Sequence, residues 1–355
     1  MKGLILSGGR GTRLRPFTYA CAKQLIPVAN KPILFYGIEA LRKAGLTEIG
    51  IVTGNNREEI VTAVGEGERW GVRITAIHQA EPRGLAHAVQ VARPFLGEDG
   101  FLMYLGDNLI GDDLSGMVER FNAKNADAMV MLAEVQEPER FGIAEMDGER
   151  VVRVVEKPRQ PRSNLALVGV YLFNPLIHEA INEITPSWRN ELEITDAIQV
   201  LVARGARVEA YRLTGWWKDT GRVDDLLEAN RVMLDWWPKP VTLAGEVDAN
   251  SQLEGDVELG PGSLVAGSII RGPVAIGADC RVARSYIGPY TSIGAGSAVE
   301  NTELEHSIVM EGCSLRSAGR ITDSVIGKNT TVTGVKSRPQ AHRLLLGHDS
   351  FLVIS

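Results

Sequence analysis

Over the first two-thirds of the chain, short apolar runs alternate with stretches of helical period. Residues 4–6 are a compact aliphatic run, as in a buried strand, and 49–53, 74–78 and 101–105 read as further strands. Residues 32–45 predict a helix, with Pro32 suited to its first turn, Gly45 as its stop, and Ile33, Leu34, Ile38 and Leu41 along one side. Residues 57–64, 84–96 and 223–237 read as further helices, and 151–155 as a strand. Alternation at this spacing predicts βαβ units, hence an α/β domain over residues 1–237 whose mostly parallel sheet carries helices on both faces. In such sheets ligands bind beyond the carboxyl ends of the strands, where the loop 7–13 and Gly106-Asp107-Asn108 fall.

Pro238 and Pro240 then break the last helix and mark a boundary. Beyond it, aliphatic residues recur every five or six positions: Val247, Leu253, Leu259, Leu264, Ile270, Ile276, Val282, Ile287, Ile293, Val299, Leu304, Val309, Leu315, Ile321, Ile326 and Val332. Glycine follows directly at Gly260, Gly277, Gly288, Gly294 and Gly327. A hexapeptide repeat of this kind predicts a parallel β-helix over 241–335, each aliphatic side chain stacking on its counterpart one coil away. The apolar tail 336–355 is expected to pack on that coil or on a partner subunit.

Composition narrows the field. With 38 Lys and Arg against 44 Asp and Glu the formal charge is −6, and 44% hydrophobic with 23% charged residues is a globular balance. A pI near 5.7 argues against a nucleic-acid partner, since such domains run above pI ~9. A small anion is still compatible, because it responds to local cations. Three cysteines are too few for a disulfide framework, and Cys21 reads as a buried small hydrophobe. No leader of signal-peptide type opens the sequence, and no apolar run reaches the ~20 residues of a membrane span, so a cytoplasmic protein with no membrane partner is expected.

The candidate chemistry lies in the first domain. Three glycines in Ser7-Gly-Gly-Arg-Gly-Thr-Arg13 let backbone N–H groups face phosphate oxygens, and Arg13 offers planar donors to the same groups. The loop lacks the Gly-Lys-Ser/Thr ending of a P-loop and the last glycine of a dinucleotide fingerprint; taken alone it also reads as a tight surface turn. Asp107 beyond its strand is placed to hold Mg²⁺ by a carboxylate, with Asp219 as partner, although each singly also reads as a cap. Lys157 in Glu156-Lys-Pro158 likewise reads as half of a solvated pair. His87 fits the helix surface as well as a pocket wall.

Six segments in order carry a resemblance: Leu6-Ser-Gly-Gly-Arg-Gly-Thr-Arg-Leu14, Lys23-Gln-Leu-Ile-Pro27, Leu105-Gly-Asp-Asn108, Glu156-Lys-Pro158, Glu191-Leu-Glu-Ile-Thr-Asp196 and Trp217-Lys-Asp-Thr-Gly221. Together the sequence resembles the sugar-1-phosphate nucleotidylyltransferases, in the long form with a C-terminal hexapeptide-repeat domain. The resemblance implies a Rossmann-like nucleotidyltransferase fold followed by a left-handed parallel β-helix. It implies Mg²⁺-dependent thymidylyl transfer from dTTP to glucose 1-phosphate, for deoxysugar supply, with uridylyl transfer to glucose 1-phosphate or an amino-sugar 1-phosphate as the alternative. Carried over by position, Leu6, Gly8, Gly9, Gly11, Thr12 and Arg13 would wrap the nucleotide, and Gln24, Gln79 and Gly84 would meet the base. Lys23 would hold phosphate oxygens, and Asp107 and Asp219 the metal. Asn108, Gly142, Glu156, Lys157, Gly169, Tyr171 and Trp217 would line the sugar-phosphate site, with Arg13, Lys23, Asp107 and Lys157 the catalytic set. Phe141 stands where short-form relatives often have Tyr. A sugar phosphate is already largely a dianion near neutral pH, so it needs no general base, consistent with motifs that hold no Ser-His or His-Asp arrangement. Flat coil faces lead to the expectation of a homo-oligomer. Some hexapeptide-repeat proteins transfer acyl groups, but here only His306 lies inside the repeats and no long loop interrupts them.

Overall fold

The computed structural model describes residues 1–9, 11–236 and 243–334. Trp237, the Pro238 and Pro240 break and the tail 336–355 lie outside the described residues. Contacts divide the chain into two units.

The first unit comprises Met1–Gly11, Cys21–Leu25 and Ile33–Asp219. Its nine-stranded sheet runs Arg73–His78, Glu48–Thr53, Lys2–Ser7, Phe101–Leu105, Leu165–Phe173, Ala128–Glu134, Val208–Arg212, Arg150–Glu156 and Gly142–Asp147. The first four strands are parallel, as βαβ spacing requires. Beyond them the order turns mixed: Leu165–Phe173 runs antiparallel to both neighbours, and Gly142–Asp147 with Arg150–Glu156 forms a tight antiparallel pair around Gly148. No crossover helix separates those two strands, so the antiparallel return is the geometry open to them.

Side-chain alternation along the strands feeds two cores. Leu4, Leu6, Phe101 and Met103 pack with Ala86, Val89, Ile177 and Ile198 on one face. Ile5, Ile51, Leu102 and Tyr104 pack with Leu34, Ile38, Leu41 and Ile60 on the other. The helices expected at 32–45 and 57–64 form as Ile33–Lys43 and Arg57–Val64. The one expected over 84–96 forms as Leu85–Val91 and Arg93–Leu96, with Pro94 in the first turn of the second piece.

The second unit comprises Thr12–Ala20, Ile26–Pro32 and the chain from Thr220 onward. Parallel strands wind into a left-handed parallel β-helix whose sheets run along the coil axis. Val265 stacks on Val282 and Val282 on Val299, Ile270 on Ile287, and Ile276 on Ile293, forming one continuous aliphatic column. Leu264, expected inward, is exposed at 36%, and Val265 takes its place at 0%. The run from Leu259 to Ile270 must close in one six-step and one five-step, and the strand's alternation turns residue 265 inward. A coil therefore spans 17 residues from Val265 to Val282 and on to Val299, and 16 from Val299 to Leu315, and hydroxyls rivet successive corners. The Ser285 N–H donates to the Ser268 hydroxyl (3.1 Å) and the Thr302 N–H to that of Ser285 (3.2 Å). Burial pushes the thiols of Cys280 and Cys313 up, and each donates to a carbonyl one coil on, Gly294 and Gly327.

The helix Val223–Trp236 belongs by its contacts to this second unit, so the division is not the single break at 237 expected from the prolines. Asn230, fully buried, accepts from the Ala29 N–H (2.8 Å) and the Ser292 hydroxyl (2.9 Å) and donates to the Tyr290 carbonyl (2.9 Å). Asn30 donates to the Ala275 and Ile293 carbonyls, each at 3.0 Å. Two asparagines thus fasten a helix and a loop from the first 237 residues to the coil.

Candidate active site

At the carboxyl ends of the parallel strands the first unit opens a cavity of about 210 Å³. Leu6, Gly8, Gly9, Gln24, Val52, Gln79, Pro82, Gly84, Leu85, Ala88, Leu105, Asp107 and Glu191 line it. Seven of the residues singled out from the sequence therefore meet in one hollow: Leu6, Gly8, Gly9, Gln24, Gln79, Gly84 and Asp107. Close packing demands glycine at position 84. Its φ is +104°, and a Cβ there would lie 2.4 Å from the Leu192 carbonyl oxygen, which accepts from the Ala86 N–H. This crossing brings the 191–193 segment against the start of the Leu85–Val91 helix.

Asp107 and Asp219 are far apart in sequence but adjacent in space. The strand Asn108–Ile110 pairs antiparallel with Trp217–Asp219, in a register that sets Asp219 opposite Asn108. Lys23, 7% exposed, lies between the two carboxylates, forming an ion pair with Asp107 and approaching Asp219 Oδ1 at 3.8 Å. Burial pushes the Asp107 carboxyl up, but the charge and hydrogen bond of Lys23 outweigh it and hold it below the usual range. A polar relay continues outward: Trp217 Nε1 donates to Asn108 Oδ1 (2.6 Å), Asn108 Nδ2 to Asp107 Oδ1 (3.0 Å), and the Tyr104 hydroxyl to the Asn108 carbonyl (2.8 Å). Asp107 and Asp219 are two carboxylates of the kind a divalent ion takes when phosphates complete its shell, and in this structure the Lys23 ammonium occupies the place between them.

The sugar-side residues form a second cluster. Thr195 Oγ1 donates to Glu156 Oε2 (3.2 Å), and a Cβ at Gly142 would lie 3.1 Å from that same oxygen. Lys157 Nζ is 3.7 Å from Glu156 Oε1, on a backbone of φ +43° whose N–H donates to the Phe141 carbonyl. A Cβ at Gly169 would press on Leu105 and Asn108. Tyr171 is buried, and burial, then the charge of Glu156, pushes its phenol up. The Phe141 ring meets Trp217 edge-on, with centroids 5.5 Å apart.

Gly11 ends the first segment of this unit, whereas Thr12 and Arg13, both exposed, fall in the second and do not line the cavity. Arg189 and Asn56 have no role in the sequence reading, and His87 is left there between the helix surface and a pocket wall. Arg189 pairs with Glu156, Glu191 and Glu193, bringing a cation to an acidic group for which the motif Glu191-Leu-Glu193 alone supplies none. Asn56 and His87 each bond a cavity glutamine, and His87, 8% exposed, is buried behind Gln79 and not on the helix surface. None belongs to a periodic pattern, and only His87, beside Gly84, had a local cue.

This fold and site define a nucleotidyltransferase: the chain belongs to the Nucleotidyl transferase family, whose pattern matches residues 2–235. Among individual proteins it is 50% identical, over the full length of both, to "Glucose-1-phosphate thymidylyltransferase" of Streptomyces griseus. It is 48% identical to the protein of that name from Streptomyces antibioticus, covering 99% of this chain and 98% of that one. A crystal structure of UDP-glucose pyrophosphorylase with UDP-glucose superposes with a TM-score of 0.60 at 28% identity, covering 66% of this chain and 98% of that one.

Proposed function

We propose that the chain transfers a thymidylyl group from dTTP to α-D-glucose 1-phosphate, giving dTDP-glucose and pyrophosphate. The observation that carries this reading is the meeting of two amide side chains, Gln24 and Gln79, with Asp107 in one cavity at the strand ends, next to Lys23 and Asp219. The names of the full-length relatives agree with it. Gln24 and Gln79 bind the base, and the backbone of Gly8 and Gly9 faces the phosphates. Lys23 turns from the carboxylates to the phosphate oxygens at the reacting end. Lys157 holds the sugar's phosphate, while Glu156 and the backbone at Gly142 and Gly169 shape its sugar pocket. One oxygen of the sugar phosphate attacks the α-phosphorus, forming the new P–O bond as the bond to pyrophosphate breaks. No proton need be removed, so the residues contribute position and charge. Asp107 and Asp219 would hold Mg²⁺, which neutralises triphosphate charge when bound.

The product serves deoxysugar supply in the cytoplasm, and the coil mediates self-association. Among the described residues no helix is long and apolar enough to cross a membrane. Pyrophosphate release with Mg²⁺ and glucose 1-phosphate, compared across dTTP, UTP, CTP, ATP and GTP, tests the activity. Fastest release with dTTP and slower release with UTP is expected; silence with every nucleotide overturns it. Sedimentation of the chain truncated after residue 240 should show a smaller assembly than the full chain.

A further inference from the structure

A carboxamide presents nearly the same shape whichever way it is turned, so what it offers a ligand depends on which end its neighbours hold. Both cavity glutamines are held by groups that can play only one part. On one wall the Gly54 N–H, which can only donate, donates to Asn56 Oδ1 (3.1 Å). Asn56 Nδ2 is thereby the donating end, and it donates to the Ser7 carbonyl (3.0 Å) and to Gln24 Oε1 (3.3 Å). Gln24 is left with Nε2 toward the Gly9 side, 3.9 Å from where a Cβ of residue 9 would lie.

On the other wall Gln79 Nε2 donates to the Gly84 carbonyl (3.3 Å), which can only accept, and contacts His87 Nδ1 at 2.9 Å. Nδ1 must then accept, which makes His87 a neutral imidazole with its proton on Nε2. Burial, and next the positive charge of Arg83, hold the His87 pKa below its ordinary value, in keeping with that state. Both N–H bonds of Gln79 are engaged, and Oε1 faces Gly8, 3.1 Å from where its Cβ would lie. The cavity therefore presents one donor and one acceptor. Thymine and uracil offer the complement: a ring N3–H flanked by carbonyl oxygens. Cytosine offers a bare N3 lone pair, which would meet the Gln79 oxygen with no hydrogen between them.

We propose that His87 and Asn56 are specificity-determining positioning residues, which fix the amides of Gln79 and Gln24 so that the pocket takes a pyrimidine bearing N3–H and refuses cytosine. This rests on the nucleotidyl transfer proposed above. Neither residue touches the reacting atoms; each acts through a glutamine.

The test compares the wild type with His87→Leu, which removes the acceptor, and His87→Asn, whose Oδ1 reaches the place of Nδ1. The readout is the ratio of kcat/KM for dTTP over CTP in pyrophosphate release, with thermal unfolding to check the fold. The expected result is that His87→Leu narrows the ratio by about tenfold or more, mainly through a raised KM for dTTP, and that His87→Asn restores most of it. A structural role alone would lower both activities in proportion. An unchanged ratio in a folded His87→Leu protein overturns the proposal. Should that variant not fold, Asn56→Asp puts the question from the other wall. An acceptor there turns Gln24 end for end, and the dTTP preference should fall by a similar factor; no change overturns the proposal. If the wild type turns over no nucleotide, the proposed activity fails, and calorimetric binding of dTMP against CMP to the same proteins still decides the positioning roles.

Discussion

The two units bury apolar side chains by opposite strategies. In the second, one rule repeats: an aliphatic residue inward, a small residue at the corner, and the same bond one coil later. In the first, every strand has its own neighbours, and the register of one short pair, Asn108–Ile110 with Trp217–Asp219, decides where two carboxylates meet. Repetition makes a fold easy to specify but gives every coil much the same surface. Irregularity is harder to specify, yet it is what gathers Lys23, Asp107, Asp219 and two oriented amides in one place. Regular packing supplies rigidity, and departures from it supply chemistry.

That contrast can be broken most severely at the carboxylates. Asp107→Asn and Asp219→Asn should each lower turnover by about a thousandfold, because each removes a carboxylate that would hold the Mg²⁺ neutralising the triphosphate, while thermal unfolding still shows a folded chain. Turnover close to wild type in both variants would remove these residues from the mechanism. Next in size, Gly84→Ala places a methyl group against the Leu192 backbone on a φ of +104°. The 191–193 crossing should shift, and kcat/KM should drop by about a hundredfold, since misplacements near 1 Å carry that cost. Unaltered kinetics in the Gly84→Ala protein would mean that the cavity wall does not depend on this crossing.

In the coil the same logic predicts losses of stability. Leu304→Ala, in the fully buried column, should cost about 2–5 kcal/mol in chemical denaturation. Ser285→Ala removes the acceptor of the Thr302 N–H and should cost about 1–3 kcal/mol. If these coil variants lost activity without losing stability, the division of labour between the units would be wrong. The smallest effect concerns the thiols. Cys280 and Cys313, buried with pKa values raised by burial, should resist a thiol reagent in the native protein. Cys21, which is half-buried and not the buried hydrophobe expected of it, should label first. Equal labelling of all three would show that the coil opens under native conditions.

How much could be read from the sequence follows the same contrast. The coil was legible because its signal repeats, and a five-or-six spacing already contains the 17-residue turn. Where the rhythm shortens locally, the aliphatic pattern points to residue 264 in place of 265, a slip of one position that only the strand's alternation corrects. The parallel strands and the Ile33–Lys43 helix were legible from their apolar runs. The mixed half of the sheet was not, since a buried strand reads the same in either direction. At the site, motifs in order carried most of the residues. What no pattern carried were single polar side chains acting at long range: Asn230 and Asn30 on the coil, Arg189 among three glutamates, Asn56 and His87 behind the glutamines. Each is defined by partners distant in sequence or by the end of an amide it holds, and a one-dimensional pattern records neither.

The corner hydroxyls have a consequence for how chain length can change. Each rivet joins a residue to another 16 or 17 positions on, so successive coils are bonded to their neighbours in nearly the same way. Inserting or deleting one whole coil rejoins the rivets and the aliphatic column, whereas a change larger than the one-residue difference the coils already take up throws every later corner out of step. Length in this unit is therefore quantised: descendants of the chain can lengthen or shorten it by whole coils and leave the chemistry of the first unit's cavity as it was.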